Sequence, residues 1–186
     1  MSPFFERFWP AAVSWTAYLD AVEEKADLWA SYAKRARVHD DERARLEALP
    51  GPRRILVLSE DWCGDAIRSV PTIVAMAEAA AGVEIRVLQS DDHPDALSER
   101  LTHGGRAIPI AVVLDENGKE LGAWGPRPAP LQAELRKKLR EEGSPSEEDK
   151  GEFYAPIMAW YAKDGGRTVA QEVLMLLERG APAPTP

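Results

Sequence analysis

The sequence predicts an α/β fold: one mixed β-sheet flanked by helices, extended at both ends of the chain by further helices. Three observations carry this. Two short, continuously apolar runs, Arg54–Ser59 and Glu84–Gln89, are separated by a stretch of helical period, the pattern of two buried parallel strands joined by a crossover helix. Asn117-Gly118 stands between the apolar runs Ile110–Asp115 and Lys119–Trp124, a strong hairpin signal that adds an antiparallel pair. At 186 residues, 45% hydrophobic and 29% charged, the chain is large enough for one domain with a proper core plus decoration.

Each element has its own justification. Trp15, Leu19, Val22, Ala26, Trp29, Ala33 and Ala36 recur at three- and four-residue steps, which predicts one long amphipathic helix with Ser14 as its N-cap and its aromatic side chains in the core. A short charged helix follows over Asp40–Leu49 and stops at Pro50-Gly51-Pro52. After the first strand, Ile67, Val70, Val74, Ala77 and Ala81 mark a helix over Asp65–Ala81 that Pro71 should bend, because proline removes a backbone donor. Beyond the second strand, Pro94 opens a short helix to about His103. Leu131, Leu135 and Leu139 give a closing helix after the hairpin, and the polar Glu141–Asp149 stretch reads as a linker. Helices over Glu152–Ala162 and Thr168–Leu177 come next, then a tail of alternating prolines expected to be disordered. The resulting organisation is an N-terminal helical extension (1–52), an α/β core (53–142), a C-terminal helical extension (143–180) and the tail (181–186). Met158, Trp160, Tyr161, Val173, Leu174 and Leu177 supply the last extension with apolar surface. The reading favoured for both extensions is packing on the domain's own sheet, in a monomer, rather than on a second copy.

Composition narrows the function. The net charge is −8 and no Lys/Arg cluster is dense enough to follow a phosphate backbone, which argues against nucleic acid and anionic membranes. No apolar run approaches the ~20 residues of a membrane span. The N-terminus carries aromatics and Glu6 where a signal peptide carries basic residues, so a cytoplasmic location is expected, and a single cysteine agrees with a reducing compartment. His39, His93 and His103 show no metal spacing, and no phosphate loop or serine-nucleophile motif is present. Glu60, Asp61, Asp65, Asp91 and Asp92 gather near one sheet edge, where caps and turn residues are a simpler account than a cation site.

That leaves Cys63, in Asp61-Trp62-Cys63-Gly64-Asp65-Ala66 at a strand-to-helix junction. Unpaired N–H groups at a helix N-terminus favour a thiolate, whereas Glu60, Asp61 and Asp65 oppose it, and the nearest basic residue in sequence is Arg68. An activated thiol and an inert buried one both fit that balance.

The order of elements and its motifs resemble the thioredoxin superfamily. Trp62-Cys63-Gly64 lies at the junction where that superfamily carries its redox motif, and Pro71 falls where its active-site helix is kinked. Gly105-Arg106-Ala107-Ile108-Pro109 resembles the segment ending in the cis-proline that faces the redox site. Asp91-Asp92-His93-Pro94 resembles the exit of the second strand, which places Asp91 to accept a hydrogen bond from Trp62. The likeness spans Arg53 to Glu142; within it, Trp-Cys-Gly-Asp-Ala and Trp124-Gly125-Pro126-Arg127-Pro128 are similar to a group of bacterial thioredoxin-like proteins. The resemblance implies Cys63 as the reacting residue. It implies Trp62, Gly64, Asp65, Ile108, Pro109, Trp124 and Arg127 around a substrate groove, and Asp91, Pro71 and Arg106 in support. Arg127 could serve a ligand carboxylate or pair with Asp65, and Trp124 could border the groove or pack on the sheet.

Two departures redirect the chemistry. Ala66 stands where the resolving cysteine would be, and Val57 where a buried proton-relay aspartate would be. The resemblance therefore implies monothiol exchange on protein or small-molecule mixed disulfides, with no bound cofactor and an external low-molecular-weight thiol as co-substrate. The alternative is a non-catalytic module that binds a peptide or partner in the groove around Trp62, Pro109 and Trp124–Pro128.

Overall fold

In the computed structural model, which describes residues 2–179, the chain is built around a four-stranded sheet of order β2-β1-β3-β4. The strands are β1 (Arg53–Ser59), β2 (Val83–Gln89), β3 (Ile110–Asp115) and β4 (Glu120–Trp124). β1 runs parallel to β2 and antiparallel to β3, and β3 is antiparallel to β4. This is the mixed sheet that the sequence predicts. Its centre is dry: Ile55 to Leu58 and Ala111 to Leu114 are inaccessible to solvent, which is why these runs do not alternate with polar residues. In the β3–β4 turn, the Asp115 carboxylate accepts from the backbone N–H groups of Asn117 and Lys119, both at 2.9 Å, and Gly118 takes the positive φ the turn requires. The tail at 181–186 lies outside the described residues.

The crossover from β1 to β2 is α5 (Gly64–Ala79), buried along most of its length, with Pro71 inside it. Around α5 and β2 the N-terminal segment contributes α1 (Pro3–Phe8), α2 (Trp15–Asp20), α3 (Ala26–Arg35) and α4 (Asp40–Glu47). The first of these is not apparent from the sequence pattern; it buries Phe4, Phe5 and Phe8, and beyond it Val13 pairs with Val87, covering the outer edge of β2.

The single helix expected over residues 15–36 is two helices. Between them the N–H groups of Glu23 and Glu24 both donate to the Asp61 carboxylate at 2.9 Å, Trp29 Nε1 donates to the Asp61 carbonyl at 2.9 Å, and the Lys25 ammonium donates to the Trp62 carbonyl. These bonds replace those a continuous helix would make, and Lys25 adopts φ 54° at the break. The apolar period survives the break because Trp15, Tyr18 and Trp29 still pack against one another. A second difference is α6 (Pro94–Ser98), which ends well before His103.

The C-terminal part is rearranged more deeply. α7 (Ala129–Glu142), the expected closing helix, does not close the sheet. Its Leu131 and Leu135 instead form a satellite core with Phe153, Ile157 and Tyr161 of α8 (Lys150–Asp164). The sheet is closed by α9 (Arg167–Leu177), whose Val169, Ala170, Val173, Leu174 and Leu177 join the main core beside α5, β3 and β4. The apolar stripe of α7 is too narrow for the wide sheet face, whereas α9 buries six apolar side chains. Arg53 fixes the end of α9, donating from Nε to the Leu177 carbonyl at 2.8 Å and from Nη2 to the Arg179 carbonyl at 3.2 Å. Of the two C-terminal helices, then, α9 lies on the sheet as expected and α8 does not; α8 packs on α5 and α7. Among the described residues no helix is long and apolar enough to cross a membrane.

Candidate functional site

Cys63 is the N-cap residue of α5, brought there by the turn that leaves the buried end of β1. Its N–H donates to the Glu60 carbonyl at 3.2 Å, and its carbonyl accepts from Ile67 N–H at 3.1 Å. The thiol donates to the Ile108 carbonyl at 3.5 Å, across from the Ile108–Pro109 peptide bond, which is cis. Only 7% of the residue is exposed. Burial pushes the thiol pKa up; the Asp65 carboxylate adds to the rise, while the N–H groups of Ala66 and Asp65 and the Arg127 guanidinium act against it. Desolvation wins, so the thiol is protonated at neutral pH. Val57 and Ala66, at the positions of the missing relay and the missing resolving thiol, are both fully buried.

The carboxylates around it are separately engaged. Glu60 is buried and accepts from Ser90 Oγ at 3.1 Å and from Asp91 N–H at 2.6 Å; burial raises its pKa. Asp61 binds the α2–α3 turn. Asp91 accepts from Trp62 Nε1 at 3.0 Å, and this holds the half-exposed indole over the loop. Asp65 is buried between Arg127 Nη2 at 2.5 Å and the Tyr161 hydroxyl at 2.9 Å. Its pKa is raised by burial, against the pull of Arg127 and the Tyr161 hydrogen bond, and the Tyr161 phenol is in turn pushed up by burial and by Asp65. Four of the five acidic residues are therefore committed to separate partners, and among the described residues no group of three His, Cys, Asp or Glu is placed to hold a metal ion.

The C-terminal extension covers the motif. A Cβ built on Gly64 would lie 3.5 Å from Met158 Sδ, so α8 rests directly on the first turn of α5 while Tyr161 ties it to Asp65. Arg127 is thus an internal partner of Asp65, with Gln132 Oε1 at 3.3 Å from its Nη1. Trp124 is buried on the sheet, donating from Nε1 to Glu172 of α9 at 2.7 Å, and with Gly125, Arg127 and Gln132 it lines an open surface cavity of about 390 Å³. Gly125, at φ 121°, lies against the Pro109 carbonyl so closely that any Cβ there would collide with it. Arg106 is exposed and donates to Ser98 Oγ at 2.7 Å, apart from the thiol. Pro71 lies in the buried body of α5, and Ile108 and Pro109 are buried beside Cys63. The structure therefore gathers Cys63, Trp62, Gly64, Asp65, Asp91, Ile108, Pro109 and Arg127, places Trp124 in the cavity that Arg127 also lines, and leaves Arg106 bonded to Ser98. It also adds Lys25, Met158 and Tyr161. No local motif could have found Tyr161, which is 96 positions from the carboxylate it binds.

The comparisons with known proteins agree with this fold. No curated protein matches the chain. Two solved structures share its fold over almost their whole length. One is a protein of unknown function from Pseudomonas aeruginosa, 20% identical, with a TM-score of 0.74, covering 97% of this chain and 100% of that one. The other is an HIV epitope scaffold, 19% identical, with a TM-score of 0.73, covering 95% and 99%. At such identities they establish the fold and nothing finer. The model of a thioredoxin family matches residues 12–140, from the N-terminal helices through the Cys63 loop and the Ile108–Pro109 segment to α7, and on that match the chain belongs to the thioredoxin family.

Proposed function

We propose that this protein is a monothiol member of its family, exchanging disulfides through Cys63 in a reducing cytoplasmic setting and reacting slowly while α8 is in place. The observation that carries this reading is the position of the thiol, at the N-terminus of the helix that leaves β1 and facing the backbone of Ile108. In the first step the Cys63 thiolate attacks one sulfur of a mixed disulfide; the Cys63 S–S bond forms, and the other sulfur leaves as a thiolate and takes up a proton. An external low-molecular-weight thiol then attacks the mixed disulfide as its thiolate and displaces Cys63. One disulfide is broken and one made in each step, so the protein undergoes no net oxidation. Ala66 supplies no internal competitor for the second step, so the mixed disulfide persists until an external thiol arrives.

A second reading has its own support. A thiol that is buried, protonated and donating to a carbonyl is also what a non-catalytic, partner-binding thioredoxin fold would carry. Such a module would present the exposed Trp62 and the open cavity lined by Trp124, Gly125 and Arg127.

The pH dependence of Cys63 alkylation, followed by mass spectrometry together with exchange on 2-hydroxyethyl disulfide, separates them. Under both readings the folded protein is alkylated more slowly than a small thiol at neutral pH. Its rate then rises with pH through and beyond the ordinary thiol value of about 8.5. Under the first reading alone the folded chain also forms a mixed disulfide that added thiol releases and that Cys63→Ser lacks. A folded chain that forms no mixed disulfide, while its unfolded form does, leaves the second reading.

A further inference from the structure

Among the described residues seven arginines are in ion pairs: Arg7, Arg45, Arg54, Arg86, Arg100, Arg127 and Arg167. Arg35 and Arg68 are among those that form none there, although the chain carries 31 acidic residues against 23 basic ones. They converge on one aromatic ring, the guanidinium carbons lying 4.7 and 5.4 Å from the centroid of Tyr32. Arg68 donates from Nη1 to the Gly64 carbonyl at 2.9 Å, but its Nε is buried and has no hydrogen-bond partner. Arg35, exposed at the end of α3, uses its Nε on the Ser31 carbonyl at 3.1 Å. Two cations on one ring repel each other, and a buried guanidinium nitrogen without an acceptor is costly; a bound anion relieves both.

The space for that anion is present. Arg35, Arg68 and Tyr32 line a cavity of about 220 Å³ enclosed by α3, α5 and the α8–α9 turn, with Thr72, Tyr161 and Gly166 on its other walls. The neighbouring carboxylates are not free to fill the role. Asp65 is held by Arg127 and Tyr161, and Asp164 accepts from Thr168 N–H at 3.0 Å and Oγ1 at 2.5 Å. Pro71, Ala36 and Ala162 supply apolar contact beside the charged end.

We propose that this cavity is a binding site for a small organic anion, its carboxylate or phosphate held between the guanidiniums of Arg35 and Arg68 and its apolar body set against Tyr32, Pro71 and Tyr161. The volume falls below the range of about 300–1,000 Å³ that takes drug-sized ligands, so the occupant is a compact molecule. Guanidinium forks match both carboxylate and phosphate oxygens, so the test must tell these two head groups apart. The site adjoins the Cys63 cluster, sharing Tyr161 with it and reaching Gly64 through Arg68, but Cys63 is not among its lining residues.

Calorimetric titration with benzoate, phenyl phosphate and the neutral benzyl alcohol provides the test. At least one anion is expected to bind saturably below about 10 mM at low salt, and the neutral analogue at least about tenfold more weakly. The anion that binds more tightly identifies the head group. The double substitution Arg35→Gln and Arg68→Gln should weaken the bound anion about tenfold or more, with far-UV circular dichroism checking that the variant is folded. Because Arg35 is exposed, Arg35→Gln alone keeps the fold and should still lose affinity. The proposal is overturned if neither anion saturates the wild type, if benzyl alcohol binds equally well, or if folded Arg35→Gln and the double variant bind as the wild type does.

Discussion

At the scale of single residues, the decisive contest is between burial and the helix terminus around Cys63. The N–H groups of Asp65 and Ala66 and the Arg127 guanidinium favour a thiolate, yet burial outweighs them, with the Asp65 charge on its side. After burial itself, Asp65 is the charge that raises the thiol's pKa. Replacing it by Asn removes the opposing charge and frees Arg127 to act on the sulfur, so the Cys63 pKa should fall. The midpoint of the alkylation-rate profile of Asp65→Asn should therefore lie at lower pH than that of the wild type. The same change leaves a largely buried guanidinium without its anion, and removing one partner of a buried pair costs about 3–5 kcal/mol, measured as a lower midpoint in denaturant. An unmoved alkylation midpoint in the folded variant would show that Asp65 does not govern the thiol. Cys63 was legible in the sequence because it stands at a strand-to-helix junction. The ranking of the forces on it was not, because Tyr161 and Met158, which meet its neighbours Asp65 and Gly64, are remote in sequence and brought there only by folding.

Among elements, the strands and hairpin follow from local pattern, since each is a short apolar run bounded by turn residues. The identity of the closing helix does not follow, because Leu131, Leu135 and Leu139 are periodic whichever partner they find. Periodicity gives a helix its apolar face but not its address. The broken α2–α3 pair has the same origin: its apolar period continues across a break that is fixed by Asp61, far along the chain. Because α7 and α8 share a small core of their own, this pair should be the part of the molecule that loosens first. Leu131→Ala, at a fully buried position of that core, is expected to cost about 2–4 kcal/mol locally and to speed hydrogen exchange in α7 and α8 well before β1 and β3. It should also raise the alkylation rate of Cys63, because α8 rests on Gly64. Leu174→Ala in α9, equally buried but within the main core, should lower the stability of β1, β3 and α5 together. Equal exchange changes in both variants would mean that α7 and α8 are not a separate unit.

Over the whole molecule, the chain beyond the α/β core is not an appendage. One apolar core runs from Phe4 and Phe8 through Tyr18, Trp29 and Leu46 to the sheet, and on to Val169, Val173 and Leu177 near the far end of the chain. Polar ties follow the same course. Arg45 meets Glu178 through two 2.7 Å hydrogen bonds, Arg167 pairs with the fully buried Glu42, and Arg53 reaches the carbonyls at the end of α9. The N-terminal helices and α9 thus meet each other as well as the sheet, and a chain shortened before α8 loses the helix that covers β3 and β4. Such a chain uncovers the sheet face of Val113 and leaves Glu42 buried without its arginine, a loss comparable with the usual 5–15 kcal/mol stability of a domain. Full-length protein should therefore unfold in one cooperative transition, with far-UV and near-UV circular dichroism coincident. A chain ending at residue 149 should keep helical signal but lose near-UV ellipticity and bind a hydrophobic dye, the behaviour of a collapsed, unpacked state. A truncated chain with native near-UV signal and a sharp transition would show instead that the sheet is self-sufficient and that α9 only covers it.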